Sequence, residues 1–567
     1  MHSEDTQLPS IVDSAALRLE ELFNKSKWPR FAGKALAELS RRSREQLPPP
    51  GPRLAGAEAA SYLAELITIT EREIIAAHSA YPSLQWLWYL RRLPNKLFDG
   101  SYRSTAGYDR ALAEAVAWNM PRGGLSLVQK KLTYRVDSSA VRHIVDYIAR
   151  IKFLSNLHIA YRRIGKGATL DTSTPIFDVT NDDRTNLAIE IYDQRHDQTE
   201  STFGKGMGIA PLDSYDYEQF SRMRSTDDLT LFLVIGCESI SVPLTHPGPD
   251  GRLVKAFTQA RHFIFPIDAK SIFHPFGPRI DTSSTMLSAV AAIVQMLMIF
   301  PVLISEIPWA FGSTLQVGYF LINQSIAKKL FDTCLPQING HLIKYFEFDE
   351  WPNNFEMWAQ SADSVLPSLW PLKTGGIYQA CGDQYILFDF HSASAALGSR
   401  LEIDRKNPDL GNIRGDKFEK QCQEIIDGSK WNPTPAIAAL RGKHLRRDGA
   451  QVTDIDAIGE YESTILIVSC KSVVYDALYD RGEYGVIRNA AATVDAAVEH
   501  WENLIESFRS TPAGDNFDFS RFANIIGIVC TPFAVFTSND RSLSPVVGSL
   551  RACASISELR AWLYQDD

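Results

Sequence analysis

The stretch Val452–Ser472, VTDIDAIGEYESTILIVSCKS, constrains this chain more than any other. Two runs rich in β-branched residues, Val452–Tyr461 and Thr464–Ser472, flank Glu462-Ser463, and the pattern predicts a β-hairpin. With those two residues as the loop, Tyr461 faces Thr464, Asp456 faces Ser469 and Asp454 faces Lys471. Opposed residues of an antiparallel pair share a face. The register therefore gathers two aspartates, a serine and a lysine on one side of a sheet. Such a set makes a poor core, but it suits a hard divalent cation beside a phosphodiester.

The flanking segments predict regular elements around this hairpin. Gly415-Asp416-Lys417-Phe418-Glu419 opens a helix whose apolar stripe is Phe418, Cys422, Ile425 and Ile426, ending at Gly428. Glu419 lies beside the stripe, within reach of the hairpin. Downstream, Val494, Ala497, Val498, Trp501, Leu504, Ile505 and Phe508 trace a long amphipathic helix. Ala523–Cys530 is a short apolar run closed by Pro532, as in a buried strand. Ser555 with Glu558 is a capping box that opens a last helix.

An aspartate in a strand, a turn, and an apolar run ending in x-x-Lys resembles the PD-(D/E)XK, or restriction-endonuclease-like, nuclease superfamily. Cys470-Lys471-Ser472 resembles the ending found in its Mrr-type members. The likeness covers about the last quarter of the chain and implies an αβββαβ domain. It implies a metal-dependent endonuclease, using Mg²⁺ or Mn²⁺ on nucleic acid, DNA favoured over RNA. Asp456, Lys471, Ser469 and Glu419 would be its catalytic residues. One position departs from the family pattern. Ser469 stands where Glu is usual (Gln in Mrr-type members), and a hydroxyl brings no charge. A carboxylate from elsewhere must then join Asp456 at the metal, and the candidates are Glu419, Glu483 and Asp480. The alternative is a catalytically eroded nuclease fold that serves as a binding or assembly module. Just upstream, Arg441, Lys443, Arg446 and Arg447 form the densest basic cluster of the region and the candidate nucleic-acid contacts.

The remaining chain bounds the architecture. At 567 residues, 45% hydrophobic and 22% charged, it is expected to form a multidomain globular protein of the α+β class. The expected parts are a helical segment with a Pro-rich linker (1–52), a helix-rich region with some strands (53–404) and the C-terminal domain (405–567). A net charge of −9 confines any nucleic-acid contact to a local surface. The seven cysteines show no CxxC pair or zinc spacing, and the N-terminus shows no signal-peptide pattern, so a reducing, cytoplasmic setting is expected. Met286–Ile304 is almost wholly apolar. Gln295, Pro301, the nearby Glu306 and the few flanking cations argue for a buried central helix and no membrane contact. Helices are predicted at Ser14–Gln46, Ala57–His78, Ala140–Leu157 and Leu315–Phe331, and strands at Asn186–Tyr192, Leu229–Val242 and Tyr385–His391. Phe203–Gly208 reads as a flexible loop, and the tryptophans as core bulk. No family is recognised before residue 400. The large N-terminal part and the nuclease resemblance together imply a restriction or phage-defence effector, with a homo-oligomer or a partner protein left open.

Overall fold

Every residue from Ile465 to Cys470 is buried, and this run is the spine of the C-terminal sheet. Only a strand covered on both faces tolerates an unbroken apolar sequence of this kind. In the computed structural model, residues 10–565 are described except for 12, 26–27, 95–96, 98–102, 122–126, 129–130, 174–177, 207–214, 217–229, 248–251, 269–283, 347–377, 382–383, 401–407 and 475–476. The protein is mixed α/β and divides into two compact units. One comprises Met1–Pro50, Tyr62–Ile159 and Gly208–Glu402; the other comprises Gly51–Ser61, Ala160–Met207 and Ile403–Asp567.

In the second unit, helix α1 (Pro408–Asp427) precedes a small hairpin, β1 (His444–Arg447) and β2 (Ala450–Asp454). The main sheet follows: β3 (Ala457–Tyr461), β4 (Thr464–Cys470), β5 (Asn524–Thr531) and β6 (Cys553–Ser555), adjacent in that order. β3 and β4 are antiparallel with Tyr461 opposite Thr464, so the expected register holds, while β4–β5 and β5–β6 are parallel. Helix α2 (Tyr484–Ser510) supplies the crossover between β4 and β5. Its buried stripe (Ile487, Val494, Val498, Trp501, Ile505 and Phe508 among others) packs with Ile465 and Ile467 of β4. Phe418, Cys422 and Ile426 of α1 pack with Leu466, Val468 and Cys470, the alternate residues of that strand. Helix α3 (Ile556–Leu563) opens with the expected capping box.

Several expectations for this unit are corrected. The strand drawn through Val452–Tyr461 is two strands, broken at Ile455-Asp456, so Asp454 pairs with His444 and is not opposite Lys471. Helix α1 begins seven residues before Gly415, because Pro408 starts it at a position that needs no amide donor. The unit is also larger than 405–567. Asn186–Tyr192, expected as a strand, lies in the helix Asp183–Gly206, whose Ala188, Ile189 and Tyr192 enter the C-terminal core. Arg195 of that helix is buried and bonds Glu558 through two contacts of 2.8 Å. Phe203–Gly206 close the same helix; Met207 and Gly208 lie outside the described residues.

The first unit is built on a long hairpin, Thr230–Pro247 with Leu253–Asp268. The apolar segment forms the helix Ser284–Glu306; its Gln295 is buried and donates to Asn339 at 2.8 Å, which satisfies the one amide in that run. No described helix is long and apolar enough to cross a membrane. Leu315–Phe331, expected as one helix, is instead the end of the helix Pro308–Val317, the strand Tyr319–Asn323 and the start of the helix Gln324–Phe346. Gly318 makes that break. Its φ is +73°, and a Cβ there would meet Arg91 Nη1 at 2.5 Å and His262 Nε2 at 2.9 Å. Tyr385–His391 is a strand to Asp389, and Phe390 begins a helix. Helices cover Ser14–Lys25 and Trp28–Gln46, Gly56–His78 and Ser138–Gly165. Residues 1–50 belong to this unit and form no separate body. Trp86 and Trp88 are buried as expected; the side chains of Trp309, Trp351, Trp358 and Trp370 lie outside the described residues.

A charged knot lies inside this unit. Arg91 is fully buried, with Nε 2.6 Å from Glu114, Nη2 3.2 Å from Asp389 and Nη1 donating to the Val317 carbonyl at 3.0 Å. His262 and His391 lie beside it, ring centroids 5.1 Å apart. Burial, each other's company and the nearby Arg91 and Arg110 hold His262 well below the usual imidazole range. Burial and Arg91 bring His391 down to about 3, against the opposing charge of Asp389. Both are neutral in the folded protein at neutral pH. An unfolded chain takes up their protons below about pH 6.5, so stability should fall as pH drops below that value, for His391 down to about 3. The expected loss is about 1.4 kcal/mol per pH unit per imidazole. Urea midpoints measured at pH 7.5 and pH 5 check this: His391→Phe should flatten the acid limb, and an unchanged slope would contradict it.

Candidate active site

The break between β2 and β3 sets the geometry of the candidate site. Asp456 falls there, outside the ladder, one residue before Ala457 pairs with Val468. Its Oδ2 accepts the backbone N–H of Cys470 at 2.6 Å, and the Ser469 hydroxyl lies near enough to help lower its carboxyl pKa. The start of β3 and the end of β4 are thus tied by one side chain. Lys471 follows β4 directly, its own N–H donating to the Cys530 carbonyl at 2.8 Å.

Glu419 comes to the same place from α1. It is half-buried, one residue past the inward Phe418. Burial raises its carboxyl above the usual range, and the negative charges of Asp456, Asp416 and Asp454 raise it further, with Lys471 opposing. Asp456 is pushed up too, chiefly by burial and then by Asp454; the Cys470 amide, Lys471 and the Ser469 hydroxyl pull the other way. Crowded carboxylates that resist ionisation, with a single ammonium near them, make a place where a cation is favoured. All the donors are oxygens, the chemistry that Mg²⁺ and Mn²⁺ prefer. Among the described residues no group of three or more His, Cys, Asp or Glu side chains forms a metal cage. Two carboxylates with the other positions left to water and phosphate oxygens is a usual arrangement for Mg²⁺.

Of the residues singled out in the sequence, Asp456, Ser469, Lys471 and Glu419 are brought together. Glu483 is held otherwise. It precedes α2 and accepts the Tyr161 hydroxyl at 2.6 Å, with Arg481 Nε 3.7 Å away. The Asp480 side chain lies outside the described residues. The basic cluster divides in two. Arg441 is bonded to Asp427, one contact being 3.0 Å, and Arg447 donates to Ser507 at 2.8 Å and to the Thr511 carbonyl while lying over Phe508 and Phe517. Lys443 and Arg446 are exposed. Alanine at Arg441 or Arg447 should therefore lower stability, by about 1 kcal/mol or less because their partners are partly exposed to solvent. Alanine at Lys443 or Arg446 should leave melting unchanged and, if these exposed cations do contact nucleic acid, weaken that binding and cut its salt slope by about one per residue. Filter binding at several salt concentrations and a melting curve for each variant decide it.

Two features near the site had no separate signal in the sequence. Asp416 adds charge beside Glu419. Gln423, one turn after Glu419, is buried and bonded to the backbone of β3. No protein-family model matches the chain, no curated protein matches it, and no solved structure matches it.

Proposed function

We propose that this protein is a metal-dependent endonuclease that hydrolyses phosphodiester bonds, with DNA the favoured substrate, and that its C-terminal unit has a restriction-endonuclease-like core. The observation that carries the reading is the meeting of Glu419, Asp456, Ser469 and Lys471 at one end of β3 and β4. The helix–hairpin–helix–strand succession, antiparallel at β3–β4 and parallel at β4–β5, also supports it.

Each residue has a role that follows from its chemistry. Mg²⁺ or Mn²⁺ in this site would polarise a phosphoryl oxygen and acidify a water molecule. Asp456 and Glu419 would hold that ion. The Cys470 amide fixes the Asp456 carboxylate in place, and the neighbouring Ser469 hydroxyl, where the family pattern has a carboxylate, would help to position it. Lys471 is a point cation that neutralises charge developing on the phosphate and orients the attacking water. The exposed Lys443 and Arg446 offer backbone-phosphate contacts. A role in restriction or phage defence fits a nuclease unit joined to a second, larger unit.

Ser469 favours one other reading, an eroded nuclease fold that binds without cutting, because it removes a charge from the site. The test is incubation of the purified full chain with plasmid DNA and single-stranded RNA in Mg²⁺, Mn²⁺ or EDTA. Cutting of DNA that EDTA stops is expected. Cutting of RNA alone would reassign the substrate, and binding without cutting in any metal would favour the eroded fold.

A further inference from the structure

We propose that Gln423 is the positioning residue of this site: its side-chain amide clamps α1 to the edge of β3 and sets Glu419 level with Asp456. The inference rests on the metal-site reading above and adds the element that holds the two carboxylates in register.

β3 is the edge strand of its sheet. The outward N–H and C=O of Ile458 would lack partners there, a costly state for buried backbone groups. Gln423 supplies both. Its Oε1 accepts the Ile458 N–H at 2.9 Å and its Nε2 donates to the Ile458 carbonyl at 3.1 Å. The same Nε2 donates to Asp427 at 2.8 Å, and Asp427 is in turn bonded to Arg441. Gln423 is only 8% exposed, so the amide competes with little water. Further along, the Glu460 N–H donates at 3.1 Å to the carbonyl of Trp431, in the turn that follows α1, so the chain leaving the helix continues along the same strand edge. Gly459 permits this approach, because a Cβ there would meet Ile426 Cγ2 at 2.7 Å and the Trp431 carbonyl at 2.8 Å.

The spacing then places the site. Going back four residues on a helix from Gln423 reaches Glu419, a rise of about 6 Å. Going back two residues from Ile458 reaches Asp456, one residue before β3 begins and at most about 6.6 Å away, the rise of two extended residues. The two steps run in the same direction and nearly match. A clamp at Gln423–Ile458 therefore fixes Glu419 beside Asp456, and loosening it lets the helix slide or tilt at the carboxylate end.

The experiment measures Mn²⁺ affinity of the full chain by electron paramagnetic resonance, with thermal melting of each variant. Gln423→Leu keeps the bulk and removes the clamp; Ser555→Ala, which removes the cap of α3, is the control for stability loss elsewhere in the unit. The expected result is a Mn²⁺ affinity about tenfold weaker in Gln423→Leu, the size usual for outer-shell support of a metal site, and unchanged in Ser555→Ala. Should Gln423→Leu fail to fold, Asp427→Asn loosens the amide without emptying it and is expected to weaken Mn²⁺ in the same direction. Unchanged affinity in the Gln423 or Asp427 variant that folds, or an equal loss in Ser555→Ala, would overturn the clamp. A wild-type protein that binds no Mn²⁺ would instead overturn the metal-site reading and the clamp with it.

Discussion

Replacing Asp456 by Asn is expected to cut the cleavage rate by at least about a hundredfold, the usual cost of losing one charged or donor group at a reaction centre, and to raise the melting temperature at neutral pH. The two effects have one cause. Burial and Asp454 push the Asp456 carboxyl above its ordinary value, so the ionised form is less favoured in the folded chain than in the unfolded one. The folded-state pKa is the higher of the two. The neutral acid therefore stabilises the fold below the unfolded value, and that contribution is lost as pH rises through the folded value. At neutral pH the charge is a burden the fold carries for the sake of the site. Asparagine keeps the acceptor for the Cys470 amide and drops the charge. Melting curves at pH 7 and pH 4 beside a plasmid assay check both halves; an Asn variant that cuts normally, or that melts earlier at pH 7, would contradict the assignment.

The largest effect on stability is expected at Arg91. Its guanidinium is fully buried between Glu114 and Asp389, and Asp389 also accepts the amide and the hydroxyl of Ser392, at 3.0 and 2.7 Å. Arg91→Met fills much of the volume but leaves two buried carboxylates without their cation. Removing one partner of a buried ion pair costs about 3–5 kcal/mol. Urea denaturation of the full chain should show that loss in the transition of the first unit. Adding Glu114→Gln and Asp389→Asn should recover part of it, because neutral amides no longer need the guanidinium. A loss below about 1 kcal/mol in Arg91→Met, the range of an exposed pair, would show that the knot contributes little.

The hairpin was legible because two independent signals agreed. β-branched runs marked the strands, and the turn at Glu462-Ser463 set the register from Ala457 opposite Val468 to Tyr461 opposite Thr464, with Asp456 one residue beyond the ladder. Asp454 was misplaced because the sequence gives no sign that the strand breaks at Ile455; the partner that captures it, His444, comes from the preceding basic cluster. That same cluster looked uniform, yet Arg441 and Arg447 are bonded inside the unit, and only packing separates them from Lys443 and Arg446. Periodicity also could not settle Asn186–Tyr192, where Leu-Ala-Ile-Glu-Ile-Tyr alternates like a strand but lies in a helix that docks Ile189 and Tyr192 in a distant part of the chain. Long-range docking of this kind leaves no local trace. Gln423 was invisible for a related reason, since a buried amide that serves a strand edge reads in sequence as one more polar helix residue.

Mn²⁺ titration of the wild-type chain, with Glu419→Gln and Glu483→Gln beside it, tests most directly whether these carboxylates form the site. Wild type should bind Mn²⁺, Glu419→Gln should lose most of that affinity, and Glu483→Gln should keep it, because Glu483 is bonded to Tyr161. Loss in Glu483→Gln with retention in Glu419→Gln, or no binding by the folded wild type, would contradict the site described.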